Sequence, residues 1–215
     1  MSEIIMLTAV RLSFPALTEA RASAPNSPAK FGCDVIIDMQ SPQWVEAMKQ
    51  VVATATEKWT DKAQGVLSMI QQDKKFRCYG QGNEKINKKT FAPYDGYAGM
   101  GYISAANANA PQAIKPNGSP VDATNTMEYQ AIVRKMYGGC YVNVAVKFWP
   151  QDNQHGRAVR CELVAIQFNK DGESFGDGGT PDVSSMFGTV AASAELPAAP
   201  VGGMPAMPAM PSFLS

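Results

Sequence analysis

Little in this sequence equips it for covalent chemistry. There is a single histidine, His155, in a polar turn, so a zinc site is not expected. The four cysteines (Cys33, Cys78, Cys140 and Cys161) are widely spaced and form no CxxC pair, and they read as buried free thiols of a reducing compartment, not as a disulfide framework. No run of about 18 apolar residues is present, which argues against a membrane-spanning helix. The first ten residues, MSEIIMLTAV, have no basic n-region and read as a strand, not a signal peptide. GxGxxG, P-loop, HExxH and GxSxG patterns are all missing. GYAGMGY (96–102) has glycines enough for a phosphate loop, but it lacks the following Lys-Ser/Thr and leads into strand-like sequence. The acids of residues 1–170 form no constellation suited to a metal nuclease. The expectation is a protein that catalyses no reaction and needs no cofactor and no metal.

The tail lacks charge of one sign. Residues 171–215 contain Asp171, Glu173, Asp177, Asp182 and Glu195 and no Lys or Arg, a balance of −5. Residues 1–170 hold all 19 Lys and Arg against 14 acids, a balance of +5, so the formal net charge of zero conceals a basic body and an acidic tail. That split suits a domain that binds a polyanion, with a tail able to compete for the same surface. With 45% hydrophobic residues, the body can bury a core.

Alternation with a period of two marks strands at 4–14 (Ile4, Met6, Thr8, Val10 and Leu12 on one face), at 30–39 (Phe31, Cys33, Val35 and Ile37 inward; Lys30, Gly32, Asp34 and Asp38 outward), and at 140–149 (Val142, Val144, Val146 and Phe148 inward). The last is expected to pair with 157–168 across a turn at 150–156. Ser41-Pro42 opens a helix whose apolar face runs through Trp44, Met48, Val51 and Trp59 and would close one end of a barrel. Shorter strands are expected near 75–79 and 97–105, and loops over 18–29 and 111–127. The fold class is therefore mainly β: a small, OB-fold-like antiparallel barrel with one substantial helix and long loops over 1–177. Residues 178–215, low in complexity and rich in Ala, Pro and Met, are expected to be a disordered tail.

The informative segment is 74–102. Lys74, Lys75, Arg77, Lys85, Lys88 and Lys89 put six cations within sixteen residues, interleaved with or followed by Tyr79, Phe91, Tyr94, Tyr97 and Tyr102. Single-strand binding needs this mixture, because cations neutralise phosphates while bases stack on aromatic faces. Tyr141, Lys147 and Trp149, on the outward face of the strand at 140–149, suit the same task. The aromatic residues are candidates for base stacking and the basic ones for phosphate contact. The same Lys-rich loop could simply be the solvated surface of a virion structural β-protein, and that is the competing reading.

Several stretches carry a resemblance: AVRLSFPALTEA (9–20), KFGCDVIID (30–38), APYDGYAGMGYISAANANAPQAI (92–114), YGGCYVNVAVKFWPQDN (137–153) and VAIQFNKDGESFGDG (164–178). Over most of residues 9–177 the chain resembles a family of tailed-bacteriophage single-stranded-DNA-binding proteins. The resemblance implies an OB fold, binding of single-stranded DNA with little sequence preference, and a role in phage DNA replication, recombination or repair in the cytoplasm of the infected host. Many single-strand-binding proteins end in a dense acidic cluster that recruits replication or recombination proteins. Here the acids stop at Glu195 and the tip, PSFLS, is uncharged.

Overall fold

The protein is described by a computed structural model covering residues 3–22, 24–122 and 124–175. The tail expected over 178–215 lies outside the described residues, as does its boundary with the body. Among the described residues, seven strands form one sheet: β1 (Ile4–Arg21), β2 (Lys30–Ile37), β3 (Tyr79–Gln81), β4 (Gly101–Asn107), β5 (Gln112–Ile114), β6 (Tyr141–Asn153) and β7 (Gly156–Lys170), in the order β3-β4-β2-β1-β6-β7-β5. All pairings are antiparallel except β5–β7, which is parallel over three residues. The sheet curls until β4 faces β7, where Asn107 Nδ2 donates to Glu162 Oε1 (2.9 Å) and to the Leu163 carbonyl (3.3 Å). Among the described residues no ladder joins these two strands, so the barrel is not fully closed.

The β1 strand is longer than its alternation indicates and changes face midway. Leu7, Val10 and Leu12 are buried, whereas Ile4 and Met6 are 55% and 61% exposed. The cause is a bulge: the pairing with β6 slips between Leu7 and Val10, and Ala9 takes φ 52°. One extra residue inverts the in–out order of everything before it. In β2, Cys33, Val35 and Ile37 join the core as the alternation requires, but Asp34 is buried instead of facing water. The hairpin β6–β7 turns over only Gln154 and His155, so its strands are longer than the polar residues at 150–156 suggest.

Helix α1 (Pro42–Trp59) starts where expected: the Ser41 side chain accepts from Trp44 N (3.2 Å). Its face of Ala47, Val51, Ala55 and Trp59 packs into the core, and Trp59 Nε1 donates to Asp152 Oδ2 (2.9 Å). Two further helices, α2 (Ala63–Gln72) and α3 (Thr126–Val133), were not singled out by periodicity. The α2 helix adds Val66 and Ile70 to the core, and α3 packs beside β1 through Tyr129, whose hydroxyl donates to the Leu17 carbonyl (3.0 Å). No helix among the described residues is long and apolar enough to cross a membrane.

Candidate nucleic-acid interface

A groove of about 720 Å³ crosses the barrel from the ends of β1 and β2 to the β6–β7 hairpin. Its cationic residues are Arg21, Lys30, Arg77 and Arg160, and its aromatics are Phe14, Phe31 and Trp149. Pairing explains the arrangement. Arg21 lies opposite Lys30 on the β1–β2 ladder, and Trp149 lies opposite Arg160 on β6–β7. Each pair therefore presents its side chains on one face of the sheet. Arg160 Nη1 donates to the Lys75 carbonyl (3.0 Å) and Nε to Gln151 Oε1 (3.1 Å), which holds the 3₁₀ turn Lys74–Phe76 against the hairpin. Arg77 pairs with Glu84 at 2.6 Å, while its buried Nε has no hydrogen-bond partner.

A second compartment of about 450 Å³ adjoins the first, and Phe14 lines both. Its walls include Asn87, Thr90, Tyr94 and Phe175. Phe14 sits at a bulge of β1, where the pairing with β2 slips between Ser13 and Ala16, and its backbone is held at φ 46°. A bulky residue at positive φ costs about 1–3 kcal/mol and tends to mark a functional position. Here the strain re-aims the ring: Phe14 is 48% exposed and meets Tyr94 edge to face, with centroids 4.9 Å apart.

The loop 82–100 covers the outer face of β2 and β4, and a buried charge pins it there. Asp34 accepts from Lys85 Nζ, from the Tyr97 hydroxyl (2.6 Å) and from Ser104 Oγ (2.5 Å). The Lys85 ammonium also lies 4.5 Å from the Tyr102 ring centroid and 5.4 Å from that of Phe14. Burial pushes the Tyr97 hydroxyl well above the ordinary tyrosine range, and the neighbouring Asp34 charge adds to the shift.

The residues singled out from the sequence separate accordingly. Arg77 and Trp149 line the main groove, and Tyr94 lines the second compartment. Phe91 is 84% exposed at the tip of the loop beside that compartment, and Lys88 and Lys89 are exposed next to it. Lys74 and Lys75 are exposed on the turn that Arg160 holds. Tyr97 and Tyr102 are buried under the loop, and Lys85 is committed to Asp34, so in this conformation none of the three is presented to a ligand. Tyr79 packs half-buried against the core. Tyr141 lies beneath Arg11 and Lys170, and Lys147 stands mid-sheet between Ile4 and Glu162; neither lines a compartment.

Phe14, Arg21, Lys30, Phe31 and Arg160 are the groove residues that the sequence reading missed. One signal was available for Arg160: counting outward from a two-residue turn at Gln154-His155 places it opposite Trp149.

Cys33, Cys78 and Cys161 also line the groove, as buried free thiols. Burial raises all three, Cys78 to about 12. Native protein at about pH 8 should therefore resist Ellman's reagent, and all four cysteines should react once it is unfolded. Since unfolded thiols ionise near about 8.5, these groups contribute their full stability below that pH. The contribution is lost as pH rises from there toward about 12. Fast labelling of native protein would mean that the groove floor is open.

A family model described as Enterobacter phage Enc34, ssDNA-binding protein, matches residues 3–197. A protein of Acyrthosiphon pisum secondary endosymbiont phage 1, called putative protein p50, is 32% identical over 184 residues, covering 85% of this chain and 91% of that one. Among solved structures, the single-stranded DNA-binding protein from bacteriophage Enc34 in complex with ssDNA superposes with a TM-score of 0.61 at 19% identity, over 80% of this chain and 89% of that one. The same Enc34 protein in another structure gives 0.59 at 20% identity, over 85% and 89%. At such identity these structures establish a shared fold.

Proposed function

The chain belongs to the family of the Enterobacter phage Enc34 single-stranded-DNA-binding protein, and from that premise we propose that it binds single-stranded DNA in the groove over β1, β2 and the β6–β7 hairpin. The observation that carries this reading is the co-location of Arg21, Lys30, Arg77 and Arg160 with the rings of Phe14, Phe31 and Trp149 along one groove. Phosphates follow the cations and bases stack on the rings, which is sequence-tolerant because every base has a π face. A duplex hides its base faces, so this groove prefers single strands.

The role is to coat and protect transient single strands during phage DNA replication, in the cytoplasm of the infected cell, without chemistry on the strand. Recombination and repair present the same substrate. We assign strand binding to residues 1–177 and assign the acids of the segment that follows, Asp182 and Glu195, to the recruitment of replication or recombination proteins.

Fluorescence anisotropy of labelled oligo-dT, against a matched duplex over a range of salt, tests the reading. With Arg21, Lys30 and Arg160 engaging phosphates, and Arg77 held by Glu84, log K should fall against log salt with a slope of about −2, from about −0.7 per phosphate on a single strand. Replacing Arg21 with alanine should flatten that slope by about 0.7. Equal affinity for strand and duplex, or no binding at low salt, would overturn the assignment.

A further inference from the structure

The segment that leaves β7 ends in the wall of the second compartment. The Gly172 amide donates to the Tyr137 hydroxyl (3.1 Å), and the Phe175 amide donates to the Gly138 carbonyl (2.8 Å). Arg11 clamps the segment from above: Nη2 donates to the Glu173 carbonyl (2.6 Å), Nε to the Gly139 carbonyl (3.2 Å), and the guanidinium lies 4.3 Å from the Phe175 ring centroid. Two glycines at positive φ make room. A side chain at Gly139 would meet the Glu173 carbonyl, and one at Gly96 would meet the Phe175 ring.

Phe175 packs on the same Ile36–Tyr97–Tyr102 cluster as Tyr94, and both line the second compartment. Tyr94 in turn meets Phe14 edge to face. Without the Phe175 ring, the 94–97 turn loses the surface that seats it and the compartment loses a wall.

We propose that residues 171–175 form a strap that completes the second compartment as a base-binding subsite, with Phe175 a positioning residue that acts through Tyr94 and Phe14. The inference rests on the single-stranded-DNA reading above. It concerns base stacking and not phosphate contact, because the strap brings no cation to the groove. It also assigns these residues a role opposite to competition: the strap builds the site, whatever the acids beyond it do.

The test uses the full chain and its Phe175→Ala, Phe175→Tyr and Arg11→Gln variants. Each is titrated against labelled oligo-dT and against an abasic strand of the same length at low salt. Phe175→Ala should weaken oligo-dT binding about tenfold, the equivalent of one lost base stack. Its salt slope and its affinity for the abasic strand should match those of the parent. Phe175→Tyr should restore binding to within about twofold of the parent, and Arg11→Gln, which releases the strap at its other contact, should shift binding in the same direction as Phe175→Ala. If Phe175→Ala fails to fold, Arg11→Gln decides. The proposal is overturned if oligo-dT binding is unchanged or tighter, or if binding to both strands falls equally. A parent protein that does not bind oligo-dT would instead remove the functional reading beneath it.

Discussion

Replacing Phe14 with glycine is expected to weaken oligo-dT binding by about 1–3 kcal/mol, roughly 5- to 150-fold, while leaving stability within about 1 kcal/mol of the parent. The two effects separate because Phe14 is a strained residue. At φ 46° its side chain is disfavoured, and glycine adopts that backbone without penalty. Loss of the edge-to-face contact with Tyr94, worth about 0.5–1.5 kcal/mol, offsets the relief. A ring kept at this cost, half-exposed at the junction of two compartments, is explained by a ligand that stacks on it. Chemical denaturation and anisotropy on the same variant check both halves. A large stability loss with unchanged affinity would make Phe14 a packing residue and move the stacking role to Trp149 and Phe31.

Replacing Asp34 with alanine should be the most destabilising single change in the loop-bearing face, at about 2–4 kcal/mol. It strips three donors, from Lys85, Tyr97 and Ser104, of their shared acceptor, orphaning an ammonium and the proton of a buried hydroxyl that keeps only its contact with Ser13. The Lys85 side chain is 29% exposed and can turn partly toward water, which keeps the loss below that of a fully buried pair. At about 2–4 °C per kcal/mol for a chain of this size, the unfolding midpoint should drop by roughly 4–16 °C. Adding Lys85→Met should recover part of the loss, since removing both charges costs less than orphaning one. A drop below about 0.5 kcal/mol would show that the loop is held by its apolar contacts alone.

The two predictions concern residues that the sequence treats very differently. Phe14 stands in RLSFP with nothing local to set it apart, and its exposure is created by a bulge. A bulge adds one residue to one strand only, so it is defined by the partner strand and is invisible in the alternation of β1 alone. Asp34 occupies an outward position of β2, as its place in the alternation requires. It is buried because a loop fifty residues later in the chain folds over it. Lys85, Tyr97 and Tyr102 belong to a basic and aromatic segment of the right composition for single-strand binding, yet the same composition also builds a buried cation–aromatic anchor. Composition does not distinguish a ring that waits for a base from one already stacked on a lysine.

What the sequence determined by itself follows from local physics. Alternation marked the strands at 4–14, 30–39, 140–149 and 157–168, a hydroxyl followed by proline marked the start of α1, and the segregation of charge marked a basic body with an acidic tail. Each needs only neighbouring residues, because pleat, helix cap and net charge are set along the chain. Which cations and rings line the groove and the adjoining compartment was decided by tertiary structure alone. Arg21 and Lys30, Trp149 and Arg160, and Phe14 and Phe175 are brought together by ladder register, by two bulges and by a strap returning across the sheet. Register is a property of strand pairs, and a one-residue slip carries a side chain to the opposite face of the sheet.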